Sequence, residues 1–192
     1  LSLPASAVAH RASSVAARGS LILVGLDTGG GLLRSADAGA TWTSLASGFA
    51  PAVADLAFSL ADPLIVYALV APSAGAGSAF IKRSNDGGAT WAFTALAGSG
   101  PSSLAVTQAS IFFADQSGLR RSDDGGSTSL SLGTFSGVRQ VVADGTAKHV
   151  WLASTDGVRA STDGGANWAF TPTVSLTGLA LATLARALLL RT

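Results

Sequence analysis

The chain has 192 residues, of which only 12% are charged, and its formal net charge is +1. Its two lysines and ten arginines are scattered, so we expect no nucleic-acid partner, because phosphate binding needs concentrated positive charge. The absence of cysteine excludes disulfides, zinc–thiolate sites and thiol catalysis.

An eight-residue segment recurs four times along the chain. It reads SADAGATW at 35–42, SNDGGATW at 84–91, SDDGGSTS at 122–129 and STDGGANW at 161–168. We call these segments boxes 1 to 4. Their spacing of 49, 38 and 39 residues is close to the period of about 40 that is typical of a four-stranded propeller blade. A low-complexity insertion, APSAGAGSA at 71–79, accounts for the longer first step.

Each repeat unit divides into four short apolar segments bounded by Gly, Pro, Asp or Ser, which predicts strands and almost no helix. The first unit gives a strand near 6–13 and then 21–27, 31–35 and 41–47. The later units give 53–59, 64–70, 79–84 and 90–96; then 102–108, 110–115, 118–122 and 128–134; then 138–144, 149–154, 157–161 and 167–173. The apolar stretch at 176–190 is too short to span a bilayer, so we expect two buried strands there.

These segments predict an all-β chain, a β-propeller of four-stranded antiparallel blades, folded as a single domain over residues 1–192. The expected blades cover about 7–49, 50–97, 98–135 and 136–174, and residues 175–192 with 1–6 supply a partial fifth. Two alternatives remain for the whole propeller: the chain forms a compact five-bladed ring, or it is a fragment of a ring of six to eight blades. We favour the fragment.

Bulky aromatic residues occupy equivalent places in three of the predicted second strands: Tyr67, Phe113 and Trp151. We expect them to fill the space between neighbouring blades, because aromatic residues in strands mostly belong to a core. The alternative is that they line a ligand pocket.

The composition of a box predicts a tight turn that is anchored by one large apolar group. Glycine accepts a positive φ, aspartate accepts hydrogen bonds from nearby backbone N–H groups, and serine can tie the entering strand to the turn. We therefore assign a structural role to these residues: Ser35, Asp37, Gly39, Thr41 and Trp42; Ser84, Asp86, Gly88, Thr90 and Trp91; Ser122, Asp124, Gly126 and Thr128; Ser161, Asp163, Gly165, Asn167 and Trp168.

The pattern Ser-x-Asp-x-Gly-x-Thr-Trp resembles the Asp-box of the bacterial neuraminidase repeat (BNR) family. Boxes 1 and 2 match it fully, box 4 has Asn167 in place of Thr, and box 3 has Ser129 in place of Trp. The resemblance covers about residues 20–175. It implies a propeller in which each box joins the third and fourth strands, on the face opposite the usual substrate site. The family contains sialidases, xyloglucan-cleaving glycosidases, sortilin-type receptors and photosystem II assembly factors, so the fold alone does not select an activity.

The residues of this chain argue against those hydrolases. The resemblance implies that a sialidase of this family would use a Tyr nucleophile assisted by Glu. This chain has no Glu, and Tyr67 is its only Tyr. A xyloglucan-type hydrolase needs two facing carboxylates. Asp27, Asp115 and Asp156 each follow a predicted second strand, where they either converge on a ligand or cap their own loops, and we expect capping. We predict no catalytic residue, no metal ion and no cofactor.

We therefore expect a non-catalytic binding or scaffolding module that binds a protein surface or a carbohydrate on the face opposite the boxes, without a membrane span. We expect it to be exported and to act outside the cell, in the periplasm or at the cell surface. The alternative is a fragment of a xyloglucanase- or sialidase-like glycoside hydrolase whose catalytic residues lie in other blades. Four arginines, Arg120, Arg121, Arg139 and Arg159, favour an acidic partner if they share a face.

Overall fold

The computed structural model describes residues 10–45, 48–49, 52–71, 78–100, 103–115 and 118–172, which form sixteen β-strands and no helix. Blade 1 comprises β1 (Ala12–Arg18), β2 (Leu21–Leu26), β3 (Leu32–Ser35) and β4 (Thr43–Leu45). Blade 2 comprises β5 (Ala52–Phe58), β6 (Val66–Ala71), β7 (Ala79–Ser84) and β8 (Ala92–Gly98). Blade 3 comprises β9 (Ser103–Val106), β10 (Ile111–Asp115), β11 (Gly118–Ser122) and β12 (Leu130–Gly133). Blade 4 comprises β13 (Val138–Ala143), β14 (Val150–Ser154), β15 (Gly157–Ser161) and β16 (Ala169–Pro172).

Each blade is an antiparallel sheet whose four strands pair in chain order. The first strands of successive blades contact one another, β1 with β5, β5 with β9 and β9 with β13, so they are the inner strands of a propeller. This confirms the predicted all-β propeller of four-stranded blades. The predicted partial fifth blade lies outside the described residues.

The meander gives every blade two distinct ends. The β3–β4 type of turn, which contains the box, and the β1–β2 type lie at one end, which we call the box face. The β2–β3 type of hairpin lies at the other end, which we call the opposite face. A side chain near a box therefore lies on the box face, and a side chain near a β2–β3 type of hairpin lies on the opposite face.

The first inner strand differs from the prediction. The sequence predicts it near 6–13, but β1 covers Ala12–Arg18, whereas the other fifteen strands differ from the prediction by at most two residues at an end. A two-residue turn at Gly19 and Ser20 sets the register by pairing Arg18 with Leu21, and Gly19 has a φ of 61°. Because β1 is rich in Ala and Ser, its apolar pattern is weaker than this turn signal.

The hydrophobic core lies between blades. One cluster joins Leu23 and Leu32 of blade 1 to Val53 and Val66 of blade 2. A second joins blades 2 and 3 and a third joins blades 3 and 4. Successive described blades therefore bury apolar surface against each other, as expected of a repeat fold in which no unit covers its own apolar surface.

Two of the three equivalent aromatic side chains belong to the core between blades 2 and 3. Tyr67 is 4% exposed and Phe113 is 2% exposed. Trp151 is only partly buried, and its ring stacks on His149 with centroids 6.0 Å apart. Because side chains alternate along a strand, Trp151 leaves the sheet on the face opposite Val150 and Leu152, which pack in the cluster shared with blade 3.

Candidate functional site

The four boxes share one hydrogen-bond pattern, which is centred on a buried serine. In box 2, Ser84 Oγ donates to Asp86 Oδ1 at 2.7 Å and accepts the Gly88 N–H at 2.8 Å. Asp86 then accepts the Thr90 N–H at 2.8 Å and the Thr90 hydroxyl at 2.5 Å. The same bonds recur in box 1, in box 3 and in box 4, where the Asn167 amide replaces the threonine hydroxyl. The box closes its own turn, and both oxygens of the aspartate accept hydrogen bonds within it.

These hydrogen bonds stabilise the ionised form of the box aspartates. The Thr41 hydroxyl and N–H lower the pKa of Asp37 to about 2, and Thr90 does the same for Asp86. The Asn167 N–H and side-chain amide lower the pKa of Asp163 to about 2, and Thr128 lowers the pKa of Asp124 further still. A carboxyl group with so low a pKa is a poor general acid near neutral pH.

Two of the three box tryptophans pack on a phenylalanine that precedes the first strand of the same blade. Trp91 meets Phe49 edge-to-face with ring centroids 5.4 Å apart, and Trp168 meets Phe135 in the same way at 5.4 Å. The indole N–H of Trp91 donates to Gly88 O at 3.0 Å. Box 3, which has Ser129 in place of Trp, follows the Phe-free connection at 99–102. Where both a Trp and a Phe are present, the box therefore packs on the segment that precedes the first strand of its blade.

The three aspartates of the opposite face engage nearby groups. Asp27 accepts the Arg11 N–H at 2.9 Å, and Asp156 pairs with Arg159 Nη2 at 2.7 Å and accepts the Ser154 hydroxyl at 2.6 Å. Arg159, the largest contributor, lowers the pKa of Asp156. Asp115 is 2% exposed, lies 3.9 Å from Arg120 Nε and packs against Gly98 of blade 2. Asp27 and Asp156 thus bond within their own blades and are not brought together by these contacts.

Asp55 is a partly buried acidic residue that the sequence analysis did not single out. It lies at an irregularity of the β5–β6 register, where Oδ1 accepts the Leu56 N–H at 2.9 Å and Oδ2 accepts the Leu104 N–H at 2.8 Å. The second bond joins the inner strands of blades 2 and 3. Burial raises the pKa of Asp55 in spite of these donors. Its tertiary partner, about fifty positions away in the chain, gives no local sequence signal.

A second unanticipated feature is a row of arginines that reach from one blade to the next box. Each immediately precedes a box serine: Arg34, Arg83 and Arg121. Arg34 Nε donates to Gly87 O of box 2 at 2.8 Å, and Arg121 Nη1 donates to Gly164 O of box 4 at 3.3 Å. Arg83 reaches the corresponding Gly125 of box 3, but its Nε–H is buried and has no hydrogen-bond partner among the described residues. The Arg-Ser pair was visible in the sequence, but its direction across the blade gap was not.

A cavity of about 190 Å³ lies beside Arg83, on the box face between blades 2 and 3. Its lining includes Ser59, Tyr67, Arg83, Thr107, Gln108 and Gly125. The Arg83 guanidinium lies 6.0 Å from the centroid of the Tyr67 ring. Tyr67 thus belongs both to the core and to a cavity wall, so the two interpretations of its place in the sequence are compatible.

The arginines that would favour an acidic partner if they shared a face do not all lie on the same face of the propeller. Arg121 bonds to Asp123 at 2.6 Å near the box face, whereas Arg159 bonds to Asp156 on the opposite face. Arg120 and Arg121 are adjacent in β11, so their side chains leave opposite faces of the sheet. The structure therefore does not assemble these arginines into one acidic-partner surface.

The histidines form no catalytic or metal-binding group with the residues described. His149 Nδ1 lies 2.7 Å from Asp144 Oδ2, and His10 Nδ1 lies 3.4 Å from the Thr28 hydroxyl. Within the ranges that the structure covers, no three metal-ligating side chains come together. Those ranges also contain no helix long and apolar enough to cross a membrane.

Comparisons with known proteins support the fold. No family model and no curated protein sequence matches the chain. The solved GH74 enzyme of Niastella koreensis aligns with a TM-score of 0.67 and 19% identity, over 83% of this chain and 29% of that one. YCF48 from Cyanidioschyzon merolae aligns with a TM-score of 0.61 and 17% identity, over 86% and 57%. A structure of YCF48 bound to D1 peptide aligns with a TM-score of 0.50 and 14% identity, over 84% and 66%.

These likenesses define the class of protein as a β-propeller. The chain spans less than a third of the length of the GH74 enzyme and somewhat over half of YCF48. At identities below 20%, the alignments concern the fold and do not assign an activity to this chain.

Proposed function

We propose that this chain is a non-catalytic binding module built on a propeller, and that its ligand is a protein partner. The observation that carries the proposal is the engagement of its carboxylates. All eleven acidic residues of the chain are aspartates, and each forms a hydrogen bond or ion pair inside the fold. Glycosidic hydrolysis needs two carboxyl groups directed at the substrate, one of them with a raised pKa.

Asp55 is the one aspartate whose pKa is raised, and it is unsuited to act as the general acid of glycoside hydrolysis. Asp55 directs both oxygens at backbone N–H groups of the inner strands. An acid that holds two blades together in this way has no oxygen left to protonate a leaving group. This supports a binding role over a hydrolytic one.

A protein ligand is favoured over a carbohydrate by one comparison. YCF48, which shares the fold, has been solved bound to D1 peptide, so a propeller of this kind can serve peptide recognition. We also propose that the boxes are Asp-boxes of the BNR type, because all four occupy the same turn and repeat the same serine-to-aspartate bond. The expected ligand surface on the opposite face and an exported location remain parts of this proposal.

The proposal is tested by measuring turnover and binding on the same preparation. The purified protein is incubated with xyloglucan oligosaccharide, sialyllactose and gluconolactone, and we expect no product above the level of a heat-unfolded control. Immobilised peptide arrays should give saturable binding that xyloglucan does not compete. Turnover that falls in Asp27→Asn or Asp156→Asn would overturn the proposal in favour of the glycoside hydrolase.

A further inference from the structure

We infer that the cavity between blades 2 and 3 is a binding site for a carboxylate, held by Arg83 and Tyr67. The site is independent of the proposed function, since it lies on the box face rather than on the face where a partner is expected. Its ligand is a small carboxylic acid or the acidic side chain of a peptide.

The repeat itself provides the comparison. Three arginines stand at the same position, and Arg34 and Arg121 each donate to a carbonyl of the following box. Arg83 makes no such bond to box 3 among the residues described, although Nη1 would lie only 2.9 Å from a methyl group placed on Gly125. The guanidinium is therefore in position, but it is not used by the fold as its two counterparts are.

The free guanidinium is partly desolvated. The Nε–H of Arg83 is buried without a described acceptor, which is costly for a charged donor. A carboxylate matches the fork of an arginine with two parallel hydrogen bonds and neutralises its charge. Among the described residues that line the cavity, Arg83 is the only one with a charged side chain, so these walls do not repel an anion.

Tyr67 supplies a second donor at the same place. Its residue is 4% exposed, its ring lies beneath the guanidinium, and a methyl group on Gly125 would lie 3.8 Å from its hydroxyl oxygen. Tyr67 and Gly125 both line the cavity. The hydroxyl and Nη1 thus flank one space beside Gly125, and a carboxylate there can accept from both.

The surrounding charges also favour an anion. Asp123 accepts a hydrogen bond from the cavity residue Ser110 at 2.6 Å, but its charge is matched by Arg121 at 2.6 Å. Arg18 adds a positive charge at the rim, where it donates to the carbonyls of Ser59 and Leu60.

The cavity size limits the ligand. At about 190 Å³ it is smaller than the range of roughly 300–1,000 Å³ typical of drug-sized ligands. One carboxyl group with a short aliphatic stem is therefore a suitable occupant, whereas a sugar ring with its substituents is not.

The experiment follows the Arg Nε–H resonances of the folded chain by ¹⁵N NMR during titration with propionate. We expect the Arg83 resonance to move saturably, while the Arg34 resonance, whose donor is already bonded, stays in place. Propionamide is the matched neutral probe and should move neither. Equal effects of propionate and propionamide, or equal shifts at Arg34 and Arg83, would overturn the inference.

Two variants and a control assign the contacts. Arg83→Lys keeps the charge but loses the fork and should weaken propionate binding by about tenfold or more, whereas Arg34→Lys should leave it unchanged. Tyr67→Phe removes only the hydroxyl, so it should weaken binding several-fold without loss of the folded spectrum. Unchanged affinity in both cavity variants contradicts the site. The affinity of the peptide acetyl-Gly-Asp-Gly-amide, with its Asn counterpart as the neutral control, is then compared with that of propionate. The tighter of the two shows whether the site prefers a peptide side chain or a free acid.

Discussion

At the scale of single residues, the serine that opens each box has the greatest structural importance. Ser35, Ser84, Ser122 and Ser161 are all at most 2% exposed. Each hydroxyl both donates to the box aspartate and accepts the N–H of the box glycine, so it joins the end of the third strand to the far side of the turn. The aspartate is exposed in boxes 1, 3 and 4 and half-buried in box 2, whereas the glycine N–H bonded to the serine is buried. Loss of the serine, not of the acid, therefore leaves a buried donor unpaired.

We predict that Ser84→Ala lowers the free energy of unfolding by about 1–3 kcal/mol, because the Gly88 N–H stays buried without its acceptor. Urea unfolding followed by far-UV circular dichroism measures the change. Ser127→Ala is the matched control, since this box hydroxyl is exposed and should cost less than about 0.5 kcal/mol. Similar losses in the two variants would contradict the role assigned to Ser84.

The box aspartates also predict how stability depends on pH. The pKa of Asp37, Asp86 and Asp163 is lowered from 3.8 to about 2 by folding, so the unfolded chain binds more protons between these values. Their contribution is complete above pH 4 and is lost as the pH falls towards 2. We expect the urea midpoint to fall over that interval and to fall less steeply in Asp86→Asn. An identical slope in the variant would show that the box carboxylate is not the titrating group.

At the scale of elements, the turns of boxes 2, 3 and 4 also pack against the blade before them. A methyl group on Gly88 would lie 2.8 Å from the Leu23 side chain of blade 1, and one on Gly126 would lie 2.8 Å from Thr94 of blade 2. Both glycines have positive φ, 84° and 100°. A side chain at the second glycine of the box is thus disfavoured for two reasons: the positive φ of the backbone and the close contact with the neighbouring blade.

These two requirements can be separated by a matched pair of substitutions. Gly29 has a φ of 86° with nothing near its missing side chain, whereas Gly88 has a φ of 84° and faces the fully buried Leu23. We predict that Gly29→Ala costs about 1–2 kcal/mol from the backbone alone. Gly88→Ala should cost about 1–3 kcal/mol more because it overpacks the blade interface. Chemical denaturation measures both, and equal losses would mean that the turn does not press on blade 1.

The elements that could be predicted are those whose signal is local. Ser-x-Asp-x-Gly specifies the turn between the third and fourth strands of every blade, because its hydrogen bonds span only four residues. The position of β1 was missed because its Ala and Ser residues alternate weakly in polarity. Asp55 and Arg83 could not be recognised, because their environment is created by residues of the next blade. Local chemistry thus predicted the blades, whereas contacts between blades determine the candidate sites.

At the scale of the molecule, the inner strands are joined in series. Ser13 Oγ donates to Val53 O at 2.6 Å between blades 1 and 2, and Asp55 accepts from Leu104 between blades 2 and 3. The Val141 N–H donates to Ser103 Oγ at 3.2 Å between blades 3 and 4. Together with the three shared hydrophobic clusters, these bonds couple every described blade to its neighbour.

This coupling predicts that the described blades unfold as one unit. The chain contains four tryptophans, of which Trp42 reports on blade 1, Trp91 on blade 2, and Trp151 and Trp168 on blade 4. After labelling with 5-fluorotryptophan, all four ¹⁹F resonances should lose their native intensity at one urea concentration, because no blade keeps its core when a neighbour opens. The variant Ser103→Ala removes the acceptor of the Val141 N–H and should lower all four midpoints equally, including that of Trp42. If only Trp151 and Trp168 respond, the blades are separate cooperative units and the inner-strand bonds act locally.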